Sequence, residues 1–229
     1  MFVSHRASRQ PALQRQRGFS LFAAFILVAA LMAVLAYFLA GSGINPGGAS
    51  SISGSARASS IITQASNIKT GVDLMTTNGA VTMSTLKFDN SANVGLFNVD
   101  TGGTSPQVPD ISAYEKKTGP DGFWIYRGAG IKITGVGSGG ASYAIVTTGL
   151  TQSVCEQINQ TLHGSTTIPD SNKAAATFRD ATATTRTSPV DTATTPTDLT
   201  SVSGIDGWDM GCLKTSDPSY VFYHVLKPQ

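Results

Sequence analysis

Apolar positions follow three different rhythms along this chain. From Phe19 to Ala40 they are continuous, FSLFAAFILVAALMAVLAYFLA, with Ser20 the one strongly polar side chain and no charge. A helix over these 22 residues would measure about 33 Å at ~1.5 Å per residue, enough for a hydrocarbon layer of roughly 30 Å. Gly41 to Gly48, GSGINPGG, should break that helix, because it holds four glycines and Pro46 disfavours helix at Asn45. Helical spacing returns near Ala49. There Ile61, Ala65, Ile68, Val72 and Met75 fall on one face, and Thr63, Gln64, Asn67 and Thr70 fall on the other. Asn78-Gly79 is a suitable C-terminal stop.

Beyond Gly79 the pattern changes to short β-rich runs. Val94–Val99, Gly122–Arg127, Gly130–Val136, Tyr143–Thr148 and Tyr220–Leu226 read as strands bounded by Gly or Pro. Arg127-Gly128-Ala129-Gly130 and Gly137-Ser138-Gly139-Gly140 read as hairpin turns. Between the last two strands a short helix is expected, with Val154, Ile158 and Leu162 on one face. The predicted fold class is therefore α+β: a long N-terminal hydrophobic helix with a glycine-rich break, then an amphipathic helix packed on an antiparallel sheet. Thr166 to Gly204 is Thr-rich and carries Pro169, Pro189 and Pro196, which predicts an exposed, weakly packed excursion.

The formal charge of +2 conceals an asymmetry. Arg6, Arg9, Arg15 and Arg17 all precede Gly18, and the first acidic residue is Asp73. Without those four, 12 of the 16 Lys/Arg remain against 14 Asp/Glu, leaving no basic stripe for nucleic acid. The same arginines should hold the N-terminus in the cytoplasm and send the remainder outward. Two other readings of this region stay open. One is a plain single-span anchor. The other is a cleaved secretory signal peptide, for which the apolar run is long and Ala40-Gly41-Ser42 is the best available cleavage site. Cys155 and Cys212 fit no metal-ligand spacing; an oxidising destination would join them, whereas a cytosolic one would leave two buried thiols.

The junction Arg15-Gln16-Arg17-Gly18-Phe19-Ser20-Leu21-Phe22 joins a basic leader ending in Gly to an uninterrupted apolar segment. It resembles the signal of type IV prepilins and pseudopilins. That resemblance implies cleavage by a prepilin peptidase between Gly18 and Phe19 and N-methylation of Phe19. It further implies a filament core in which Phe19, Phe22, Ala23, Phe25, Leu31 and Leu35 pack between copies. The order strand, turn, short helix with Cys155, then Cys212 before the last strand is similar to the head of type IVb pilins, including those of thin conjugative pili. There the two cysteines form a disulfide. This chain departs from the family at Ala23, where most members carry a Glu.

On this resemblance residues 1–18 form a leader, 19–48 the transmembrane and filament-core helix with its break, and 49–229 the head with its excursion at 166–204. The expected partners are further copies of the chain, the prepilin peptidase and the inner-membrane pilus assembly machinery. The precursor would sit in the inner membrane with its head in the periplasm, and the assembled pilus would be extracellular. A minor pilin or type II secretion pseudopilin, and a singly anchored surface binding protein, are the alternatives. No cofactor, metal site or catalytic constellation is expected. Gly135, Gly137 and Gly140 match G-x-G-x-x-G, but a strand rather than a helix should follow, and His163 and His224 lack spaced partners for metal or nucleophile chemistry.

Overall fold

The computed structural model describes residues 46–79, 81–89, 91–98, 100, 103–115, 121–179 and 194–228. The chain divides into two units, Met1–Pro46 and Gly47–Gln229, and Pro46 apart the described residues belong to the second. This second unit is an α+β fold. Helix α1 spans Pro46–Thr77, and the strands are β1 (Ile125–Lys132), β2 (Ser142–Leu150), β3 (Thr197–Asp198), β4 (Met210–Lys214) and β5 (Tyr220–Lys227). Helix α2 (Gln152–His163) and the single-turn α3 (Ala175–Phe178) lie between β2 and β3.

The five strands form one sheet in the order β3-β1-β2-β5-β4. Period-two alternation sorts their side chains between two cores. Trp124, Tyr126, Ile145, Phe222 and Leu226 face a core completed by Ala58, Ile61, Ala65, Ile68, Val72 and Met75 of α1 and by Val154 and Ile158 of α2. Phe123, Ile125, Val146, Val221, Tyr223 and Val225 face a second core, completed by Phe178, Leu199, Val202 and Ile205. The apolar stripe of α1 is buried along its whole predicted length, and the helix stops at Gly79, which takes φ +69°.

Several expectations are corrected. The long hydrophobic helix with a glycine-rich break is not the fold of the described chain. Pro46, Gly47 and Gly48 open α1 instead of interrupting a helix, and among the described residues no helix is long and apolar enough to cross a membrane. Proline is tolerated in a first helical turn, where its missing N–H has no partner to lose, and a helix anchored by core packing absorbs the cost of two glycines. Residues 19–45, including Gly41 to Asn45 of the expected break, lie outside the described residues. The sheet is mixed, not antiparallel throughout, because β1 pairs with β3 in parallel through Ile131–Thr197 and Lys132–Asp198.

Gly128–Gly130 is a bulge within β1 and not a turn between two strands. The register with β2 shifts between Arg127 and Ile131, and Gly130 takes φ +82° with its Cα so close to β2 that a Cβ would stand 2.8 Å from the Ser142 carbonyl oxygen. The run from Val94 forms turns, with Leu96 plugged into the first core; Val99 lies outside the described residues. The flanks of the Thr-rich segment are packed: Ser171, Ala175, Phe178, Thr197, Leu199 and Val202 are buried. A few apolar anchors in a polar stretch suffice because, among the described residues, only the single-turn α3 and these loops cover the second face of the sheet.

Candidate functional site

Helix α2 meets β4 at a corner joined by both covalent and polar links. Thr151 caps α2, its hydroxyl accepting from the Val154 N–H, and Gly164 ends the helix in the left-handed conformation at φ +70°. Val154, Cys155, Ile158 and Asn159 are the buried face of this helix. Cys155 is joined to Cys212 of β4 in a disulfide, with Cα atoms 5.4 Å apart. One turn later the Asn159 side chain pairs with the same residue: Nδ2 donates to the Cys212 carbonyl at 2.9 Å and Oδ1 accepts from the Cys212 N–H at 2.9 Å. Nδ2 also donates to the Thr167 carbonyl at 3.1 Å.

Helix α2 ends at His163, and this end forms one side of a groove of about 700 Å³. His163 donates from Nε2 to the Met210 carbonyl at 2.9 Å, and its ring lies flat on Trp208, centroids 3.5 Å apart and planes 7° from parallel. The first wall is the segment leading out of α2. It is laced to β4 by Lys214 N–H to Pro169 carbonyl (2.9 Å), Ser171 N–H to Lys214 carbonyl (2.9 Å) and Ser171 Oγ to the same carbonyl (2.8 Å). The second wall carries Ser201, Ser203 and Gly204. It is held by backbone bonds from Val202 to Leu199 (3.0 Å), Gly207 to Thr134 (2.8 Å) and Trp208 to Ile205 (2.9 Å). Among the described residues Asp170 is the one carboxylate on the groove, and no Lys or Arg lines it. Within the first wall Asp170 Oδ1 accepts from the Asn172 N–H at 2.8 Å, and Asn172 sits at φ +52°. A smaller hollow of about 390 Å³ lies between Thr76, Met83, Tyr143 and Lys227.

Of the residues singled out from sequence, Cys155 and Cys212 are brought together. Gly18, Phe19, Phe22, Ala23, Phe25, Leu31 and Leu35 lie outside the described residues. His163 lines the groove, whereas His224 is buried on the sheet face that packs against α1; the Ala65 backbone is near enough to act on it, but among the described residues neither ring nitrogen makes a well-formed hydrogen bond. Burial pushes its pKa down to about 4, so the ring is neutral at physiological pH. The G-x-G-x-x-G stretch is the connection between β1 and β2, with Gly135 and Gly137 at positive φ and a strand following, as expected for a turn. Among the described residues no three His, Cys, Asp or Glu gather where a metal could be held.

The roles of Asn159, Trp208 and Asp170 were not read from the sequence, where Asn159 stood out only as the start of a glycosylation sequon, Asn159-Gln160-Thr161, in a predicted helix. For Asn159 a signal existed, since it stands one helical turn from Cys155 on the face that must meet Cys212. The groove had none, because its two walls are some thirty residues apart in sequence and are anchored to different elements, the first to Lys214 of β4 and the second to Thr134 beyond β1. Comparison with protein-family models, with curated proteins and with solved structures finds no match for this chain.

Proposed function

We propose that this protein is a structural subunit of a type IV pilus-like filament, processed by a prepilin peptidase and polymerised through its apolar segment by the inner-membrane assembly machinery. The carrying observation is the junction of the basic Arg15-Gln16-Arg17-Gly18 with Phe19 and the charge-free run to Ala40. The disulfide supports export, since such bonds persist in oxidising compartments. The sheet edges support assembly through the apolar segment rather than by strand addition. Strand β3 is two residues long, and β4 is covered by Asn159 and by the Pro169–Ser171 backbone. The head then faces the periplasm in the precursor and the exterior in the filament.

Ala23 favours a second reading, a minor or priming subunit. A filament core places the amine of Phe19 in apolar surroundings, and no carboxylate at Ala23 is present to pair with a neighbour's amine. At a tip or in priming that absence costs little. Intact mass and N-terminal sequencing of the mature protein test the shared premise, with N-methyl-Phe19 expected as the first residue. A mature chain starting at Gly43 would instead establish a secretory signal peptide. Mass spectrometry of sheared filaments then separates the two subunit roles by whether this chain predominates or is present in trace.

A further inference from the structure

We propose that the groove between the Ser165–Asn172 wall and the Ser201–Gly204 wall is a binding site for a neutral saccharide. Its volume of about 700 Å³ falls within the roughly 300–1,000 Å³ of small-molecule sites. The walls are preformed, because each is fixed by backbone hydrogen bonds, and β4 beneath them is held to α2 by the disulfide and by Asn159. A ligand therefore need not order them on binding.

The lining selects the ligand class. Ser165, Thr167, Ser201 and Ser203 supply hydroxyls that donate and accept, Asn172 supplies both halves of an amide, and Asp170 supplies a carboxylate. Asp170 uses Oδ1 to hold the Asn172 N–H, and a carboxylate has acceptor capacity for further donors. That set complements adjacent hydroxyl groups, each both donor and acceptor. His163 and Trp208, stacked on each other, are the aromatic part of the lining, and the ring surface left outside the stack would pack against the C–H groups of a sugar ring. Phosphate, sulfate and carboxylate ligands are disfavoured, since Asp170 would repel them and no Lys or Arg among the described residues lines the groove. A purely apolar ligand would strip water from these hydroxyls without replacing their bonds. The inference is independent of filament formation, since an anchored monomer would carry the same groove.

The test is saturation-transfer NMR on the full mature protein in micelles of a sugar-free detergent such as lauryldimethylamine oxide. The probes are methyl glycosides of glucose, galactose, mannose and N-acetylglucosamine, with N-acetylneuraminic acid as the anionic comparator. Transfer to at least one neutral glycoside is expected. Asp170→Asn keeps the Oδ1 acceptor for Asn172, and Asn172→Gly keeps the positive φ, so both variants preserve the wall while removing ligand contacts. Each should weaken binding about tenfold or more, as expected for the loss of hydrogen bonds involving a charged or amide group, with an unchanged melting temperature. Absence of transfer to every neutral glycoside, preference for N-acetylneuraminic acid, or undiminished transfer in both variants would overturn the assignment.

Discussion

Asn159 reads the backbone of Cys212 as a neighbouring strand would. Its carboxamide gives one bond to the Cys212 carbonyl and takes one from the Cys212 N–H, each at 2.9 Å, on the outer edge of β4. The disulfide from Cys155 reaches the same residue from one turn earlier in α2. Covalent and polar links thus converge on one edge residue, and with the Pro169–Ser171 backbone paired to Lys214 they cover the edge of the sheet.

Replacing Asn159 by Ala should therefore cost about 3 kcal/mol, since it strands a buried N–H and two carbonyls whose desolvation runs roughly 1–3 kcal/mol apiece when unpaired and only partly relieved by water. Asp at this position keeps the acceptor but turns a carboxylate toward the Cys212 and Thr167 carbonyls, so it should be no better than Ala. Urea unfolding of the oxidised protein measures both. A loss under about 0.5 kcal/mol in the Ala variant would mean that water replaces the amide and that the edge is held by the disulfide alone.

Converting Cys155 and Cys212 together to Ala removes a cross-link over a sequence separation of 57 residues. The chain-entropy model puts the loss at roughly 4 kcal/mol, and real disulfides often deliver less. Because the Asn159 bonds persist without it, the double variant should still fold at low temperature. It should melt at a lower temperature, and added reductant should leave that variant unaffected while lowering the parent protein to match. A parent indifferent to reductant would show that the bond contributes nothing measurable.

Helices α1 and α2 were legible in the sequence, the single-turn α3 was not, and the sheet was legible only in part, for identifiable reasons. Helix α1 announces itself through five apolar positions on one face, and each is buried where that spacing requires. The start was misread because Gly47 and Gly48 look like a breaker, whereas Pro46 makes an acceptable first helical residue. In β1 the glycines at 128 and 130 carry the same local signal as a hairpin. Only the close approach of Ser142 shows that they form a bulge, and that contact is not local. Phe178, Leu199 and Val202 were lost in a Thr-rich background, since three apolar residues without a period give no pattern to read. The cysteine pairing followed from the expected oxidising destination and from the resemblance, not from composition, and the groove depends on two loops whose meeting no local signal encodes.

Gly130 offers a direct check on the bulge. It holds φ +82°, and a methyl there would approach the Ser142 carbonyl oxygen to 2.8 Å. Gly130→Ala should cost about 2 kcal/mol or more from left-handed strain and the clash combined. Gly128→Ala, where the nearest atom is Tyr126 Cε1 at 3.6 Å, should be nearly neutral. Thermal melts of the two variants side by side are sufficient. Equal effects would mean that β1 and β2 do not pair in this register.

His224 should give the head a stability loss on mild acidification that one residue accounts for. It stands on β5 between Ile145 of β2 and Met210 of β4, on the face that packs against α1, and it is almost completely buried. Desolvation is the main cause that drives its pKa down to about 4, and Lys69 of α1 acts in the same direction. Asp209, the Ala65 backbone and Asp73 oppose the shift without cancelling it. In the unfolded chain the same imidazole titrates near its ordinary value of about 6.5. Between those two values the unfolded state binds the proton and the folded state does not, so stability is full above roughly pH 6.5 and falls as pH drops toward 4. The contribution is of order 3 kcal/mol. Below about pH 4 both states carry the proton, and no further loss comes from this group. His224→Leu leaves no buried titrating group at the site, so its stability should decline less than the parent's over that window, whatever its absolute stability at pH 7. Urea unfolding at half-unit steps from pH 7 to pH 4, together with the NMR titration of the His224 Cε1–H, provides the measurement. A midpoint near 6.5 in the folded protein, or parallel stability curves for parent and variant, would show that the imidazole has access to water or a partner beneath α1.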